Sequence, residues 1–256
     1  MNCSRIQQQT HRQRGLSVVE LLIALAISSF LILGITQIYI DNKRSYGFQQ
    51  SQGELQENQR FLAMILDGYL NRAGFQRSPI QMPEEAFKQA AASGECGAFG
   101  KGDGVAPTTD GNGLCIRYYP VSKDELDCTG ATVPTFDDSK AYSETGDPVL
   151  MVLRYIPSND LNGVLQCKVG TRTAELVTGV ADLRLNLRKN DGVVTEVRYA
   201  ALMASTAKLR SSDESRALDT WMDGANATAK ARLESGDQGQ LFQMTSNTVT
   251  LRNLTP

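Results

Sequence analysis

Histidine is nearly absent from this chain. The single one, His11, lies within the first fifteen residues, so any product lacking that leader holds none. Histidine-dependent triads and His-ligated metal centres are thereby excluded from the remainder. None of the five cysteines forms a Cys-x-x-Cys pair, and tryptophan is reduced to Trp221. Basic residues do not outnumber acids, at 26 against 28, so no basic face is available for nucleic acid. Acids are common in places, as at Asp124, Glu125, Asp127, Asp137 and Asp138, but such runs are ordinarily solvated surface. Residues 158–163 and 110–113 resemble cation loops only loosely. Both lack the acidic density of a calcium site, and turn chemistry accounts for them. The glycine-rich stretch 100–104 lacks the Gly-Lys-Ser/Thr ending of a phosphate loop. No enzyme activity, cofactor or metal is expected.

The cysteines that are present form a pattern. Cys3 sits in the leader, which leaves Cys96, Cys115, Cys128 and Cys167 as an even set. In an oxidising compartment that set suits two disulfides. Three pairings are open, and Cys96–Cys115 with Cys128–Cys167 is expected because both loops then close locally. Zinc is the other use for four thiols, though the spacings do not favour it.

The longest feature is an apolar run over residues 16–40, broken by one acid, Glu20. Twenty-five helical residues span about 38 Å, enough to cross a bilayer with some tilt. Arg5, Arg12 and Arg14 precede the run, and Lys43 and Arg44 follow it. The positive-inside rule places the leader in the cytoplasm, weakly, since both flanks are basic. A cleaved secretory signal would need the Ala24-Leu25-Ala26 site, but the apolar stretch continues well beyond it. A plain single-span anchor would leave Glu20 unexplained, since a carboxylate in a bilayer is costly and marks function.

Taken together, the basic leader, Gly15, the apolar start and Glu20 resemble the class III signal of type IV prepilins. The resemblance implies cleavage between Gly15 and Leu16 by a prepilin peptidase and methylation of the new N-terminus on Leu16. Removing residues 1–15 takes three arginines and no acid, moving the net charge from −2 to −5. The exposed ammonium of Leu16 would give Glu20 of a neighbouring subunit a partner, offsetting the desolvation of each. Glu20 then rewards one axial stagger in a helical bundle.

The helix is expected to continue past the membrane. Residues 41–74 contain no proline, and Leu55, Leu62, Ile65, Leu66 and Tyr69 fall on one helical face. That stripe is read as core against a head. Gly34, Gly47 and Gly53 are points of possible bending, and Gly74 suits a helix end. Residues 75–113 read as loop with one short helix near 84–92. Strands are expected at 114–119, 149–155 and 165–169, then from 174 through the alternation of Leu183, Leu185 and Leu187. Asn190-Asp191-Gly192 closes a hairpin that returns over 193–202. Residues 206–239 read as an irregular excursion with a helix near 225–233, and 240–244 with 248–251 as a final strand pair. The fold class is α+β: a long N-terminal helix packed on a mainly antiparallel β-sheet head. Four segments are expected: a cleaved leader (1–15), a transmembrane assembly helix (16–40), an amphipathic stalk (41–74) and a disulfide-containing head (75–256).

Three short motifs narrow the resemblance. Arg72-Ala73-Gly74-Phe75, Gly179-Val180-Ala181-Asp182-Leu183 and Thr250-Leu251-Arg252-Asn253 are similar to segments of PilW-type minor pilins. Each also has a plain local reading, as helix stop, strand start and terminal strand. The resemblance implies a pilin-like subunit that primes type IV pilus assembly at or near the tip, in twitching motility and cell adhesion. Its partners would be other minor pilins and the major pilin, through the N-terminal helix, and a tip adhesin. It would sit in the inner membrane with a periplasmic head before assembly, and on the cell-surface pilus afterwards. The J-type pseudopilin of type II secretion shares leader and stalk and is the alternative. A stand-alone membrane-anchored periplasmic binding module is a further one.

Overall fold

The computed structural model describes residues 17–78, 80–133, 148–210 and 215–254. The chain divides into two compact units, Met1–Gly47 and Phe48–Pro256. In the first unit the described chain is helical from Val18, and its large apolar side chains are exposed. Helix α1 covers Val18–Arg72 and runs unbroken through Gly34, Gly47 and Gly53.

In the second unit, α1 buries Leu55, Leu62, Leu66 and Leu70, spaced by whole helical turns so that they share one face. Ile65 and Tyr69 are half-buried beside them. Burying one leucine contributes roughly 1.5–3 kcal/mol, so this stripe fastens the helix to the sheet. The remaining elements are α2 (Pro83–Ala86), β1 (Val105–Pro107), β2 (Gly113–Tyr118), β3 (Val149–Ile156), β4 (Gly163–Val169), β5 (Arg172–Asn190), β6 (Val193–Lys208), α3 (Arg216–Asp223), α4 (Ala227–Gly236) and β7 (Gln240–Thr250). The strands form one antiparallel sheet in chain order, β1 to β7. Consecutive antiparallel pairing needs only local connections.

Strand alternation divides the core in two. Leu183, Val197, Tyr199, Ala201 and Met203 pack with the α1 stripe. Ala181, Leu202 and Ala204 point the other way, against Leu218 and Trp221 of α3 and Leu233 of α4. The β5–β6 turn has Asp191 at φ 49° and Gly192 at φ 87°. Positive φ at both central residues is what a tight hairpin of this twist requires.

Four expectations are corrected. The short helix stops at Ala86 rather than 92, because Phe87 turns into the core and Ala90 bonds across to Phe99 instead of along a helix. The excursion begins only after Lys208 and holds two helices, since α3 precedes the one expected. The C-terminal strand pair is a single strand, β7, laddered along β6 through Ser246 and Asn247. Gly179 does not open a strand but lies inside β5, at φ 76° beside a bulge between Val180 and Asp182.

Candidate functional site

Glu20 lies in the first turn of α1 and is exposed. Gly15 and Leu16 fall outside the described residues. From Val18 to Ile40 the large apolar side chains of α1 are exposed, from Val18 at 74% to Ile40 at 52%, and the helix is long and apolar enough to cross a membrane. Three of its hydroxyls are satisfied within the helix. Ser28, Ser29 and Thr36 donate to the carbonyls of Ala24, Leu25 and Ile32 at 2.7–2.8 Å. Such back-bonding lets polar side chains enter an apolar medium without open donors.

The sheet-packed end of α1 is closed by the chain's C-terminal residues. Gly74 adopts φ 69°, the left-handed conformation that ends helices. An added Cβ there would lie 2.3 Å from a Leu254 methyl carbon. Asn253 donates through Nδ2 to the carbonyls of Asn71 (2.9 Å) and Ala73 (3.1 Å), capping acceptors left open at the helix end. The Gly74 N–H donates to the Arg117 carbonyl of β2 at 2.9 Å. Two segments 180 residues apart, around Ala73 and Asn253, thus form one joint.

The remaining motif, residues 179–183, makes a second joint. Asp182 is buried and accepts from Trp221 Nε1 (2.8 Å) and Arg232 Nη2 (2.9 Å). Arg232 also donates to the Ala181 carbonyl at 2.6 Å, as does the Tyr155 hydroxyl. Arg184 stacks over Trp221 at 4.0 Å. The bulge at Val180–Asp182 aims this carboxylate at both α3 and α4. The cluster escaped the sequence reading, although an acid among the buried residues of a strand was a usable signal.

Two disulfides close the loops beside the sheet, Cys96–Cys115 and Cys128–Cys167. Beside the second, Asp127 accepts from Arg172 Nη2 at 2.7 Å and from Thr129. Burial alone would raise the Asp127 pKa, but these hydrogen bonds outweigh it and hold the group below its ordinary value. Among the described residues no group of histidine, cysteine or carboxylates could hold a metal. Asp110 and Asp160 instead organise their own turns through Thr108, Ser158 and backbone N–H groups.

Burial pushes the Tyr199 phenol up to about 12, with the Asp67 carboxylate of α1 adding to the effect at 3.0 Å. Burial likewise raises Tyr118 to about 12, and Tyr155 is also raised. A phenol with a raised folded pKa stabilises fully below its unfolded value near 10 and loses that contribution as pH climbs towards about 12. The urea midpoint is therefore expected to hold through neutral pH and fall above about pH 10, with tyrosinate absorbance appearing together with unfolding. Tyrosinate absorbance appearing at ordinary values in folded protein would contradict it.

Residues 10–36 match the family model described as the prokaryotic N-terminal methylation motif, and the match includes Gly15, Leu16 and Glu20. Among curated proteins no sequence matches the chain. Among solved structures, the chain is similar to a type IV-like pilin from Thermus thermophilus, at 11% identity and a TM-score of 0.39, covering 79% of this chain and 97% of that one.

Proposed function

We propose that this chain is a minor pilin of the PilW type: a non-enzymatic structural subunit that helps initiate type IV pilus assembly at or near the tip. The observation that carries this reading is the motif match over residues 10–36. The matched residues include Gly15, Leu16 and Glu20 and continue into the exposed apolar helix, which supports reading them as peptidase site, methyl acceptor and pairing group. Prepilin peptidase would cut after Gly15 and Leu16 would be methylated. Residues 16–40 would lie in the inner membrane and then among the helices of other minor pilins and the major pilin. The stalk, residues 41–74, would join them to the head. The two disulfides support a head folded in an oxidising periplasm. On the pilus surface, that head would bridge neighbouring subunits and a tip adhesin.

Mass spectrometry of the membrane-extracted chain is the direct test. An N-terminus at methylated Leu16 is expected, whereas an intact leader or cleavage near Ala26 overturns the reading. Deleting the gene is expected to abolish surface pili and twitching. Loss of enzyme secretion with intact pili would assign the chain to a J-type pseudopilus instead.

A further inference from the structure

Among the described residues, the last strand of the sheet has a free edge that runs along a groove. β7 pairs with β6 on one side only. Its sequence, Gln240–Thr250, holds no charged residue and no proline, the two devices that usually blunt an exposed edge. The direction of its backbone groups follows from two bonds. The N–H groups of Leu241 and Leu251 both point to the β6 side, to Ser205 Oγ and the Thr195 carbonyl. Backbone N–H and C=O directions alternate along an antiparallel strand. Phe242, Met244 and Ser246 therefore present theirs outward. The outward N–H of Thr248 is already taken by the Asn247 side chain at 2.8 Å, which limits the open stretch to residues 242–246.

A groove of about 450 Å³ adjoins this stretch, lined by Leu241, Phe242 and Gln243. Successive strand side chains point to opposite faces, so three consecutive residues share one groove only along the strand's edge. One wall is α1, with Phe48 and Leu55, and the other is the start of α3, with Arg216. Phe48 is 41% exposed. Arg216 is exposed and forms no ion pair among the described residues, whereas the neighbouring Arg210 is held by Asp237.

We infer that β7 is a docking edge for an extended segment of a partner protein, which adds an eighth strand to the sheet through the outward groups of Phe242, Met244 and Ser246. Alternate side chains of such a segment enter the two walls. Those facing α1 are apolar, to cover Phe48, and one facing α3 is a carboxylate, to pair with Arg216. A second copy of this chain offering its own β7 fits less well, because that strand carries no acid.

The test uses the full chain in detergent micelles and a labelled, end-blocked hexapeptide, Val-Thr-Val-Thr-Val-Asp, whose aspartate falls on the face opposite the valines. In the free chain, hydrogen exchange is expected to be fast at the amides of Phe242, Met244 and Ser246 and slow at Leu241, Gln243 and Thr245. Adding the peptide is expected to slow the first set about tenfold or more. Met244→Pro removes an outward donor and leaves the β6 ladder intact, and is expected to weaken peptide binding about tenfold. Arg216→Glu is expected to weaken the aspartate peptide about fivefold and leave its asparagine counterpart unchanged. Absence of peptide binding, equal binding to a folded Met244→Pro chain, or outward amides already protected without peptide would overturn the proposal. Protection that grows with protein concentration alone would also overturn it, by giving the edge to a second copy. The exchange measurement on the unaltered chain decides even where Met244→Pro fails to fold.

Discussion

Glu20→Ala is expected to lower incorporation into assembled pili at least about tenfold while leaving the chain better inserted in the membrane. The two effects have opposite signs for one physical reason. An ionised carboxylate near the start of a bilayer-length helix opposes insertion, by an amount of order 2.5–3.5 kcal/mol for an acid at mid-helix and less nearer the interface. Alanine removes that penalty. The same carboxylate, once beside the ammonium of a neighbour's Leu16, gains Coulomb energy in a medium that screens little. A net loss of only about 1.4 kcal/mol per contact is already tenfold in an association constant. Glu20→Gln is expected to assemble as poorly as alanine, because an amide has no charge to pair with the ammonium. Glu20→Asp is expected to retain part of the activity, since charge remains and reach shortens. The measurements are the ratio of this subunit to the major pilin in sheared pili and its amount in the inner membrane. Wild-type incorporation of Glu20→Ala would sink the registry role, and reduced membrane levels would trace the defect to insertion.

Glu20 could be singled out from sequence because its context is contiguous: leader, Gly15, apolar start and acid follow one another within twenty residues. The same locality made α1 and the β5–β6 hairpin legible, one through the spacing of Leu55, Leu62 and Leu66, the other through Asn190-Asp191-Gly192. Features fixed by distant partners were not. Ser246-Asn247 has the composition of a turn, yet both residues lie in a ladder with β6, whose pairing decides their conformation. Helix α3 buries only Leu218 and Trp221, too short a pattern to stand out against polar neighbours. What places it is Asp182, 39 residues before Trp221 and 50 before Arg232. The Asn253 cap on α1 is another such case, since its acceptors lie about 180 residues earlier. In sequence the three short motifs stand as a family resemblance and as isolated helix and strand signals. Their shared physical content, fastening α1, α3 and α4 to one sheet, emerges only when the chain is folded.

Asp182→Ala should accordingly be the most damaging single change in the head, costing about 3 kcal/mol of stability. Asp182 is 7% exposed, and its two oxygens accept from the Trp221 indole and the Arg232 guanidinium. Alanine leaves a buried indole N–H without an acceptor. It also leaves Arg232, whose side chain is 13% exposed, with its charge uncompensated at that contact. Trp221 is buried and Arg232 mostly so, so the loss falls on the packing of residues 215–236 over the sheet rather than on the sheet's own ladders. Because Trp221 is the chain's sole tryptophan, its fluorescence reports this joint. An emission shift to longer wavelength is expected at urea concentrations that leave β-sheet circular dichroism intact. Asp182→Asn keeps an acceptor for the indole and loses the charge, and is expected to fall between the two. Trp221→Phe removes the donor and most of the need for the acceptor. In that background, Asp182→Ala should cost less than in the native chain, the coupling a double-mutant cycle reads. Additive costs, or unchanged emission in Asp182→Ala, would remove the joint's assigned role. Since α3 also forms one wall of the groove along β7, the same substitution is expected to weaken peptide capture there without touching a residue that lines it.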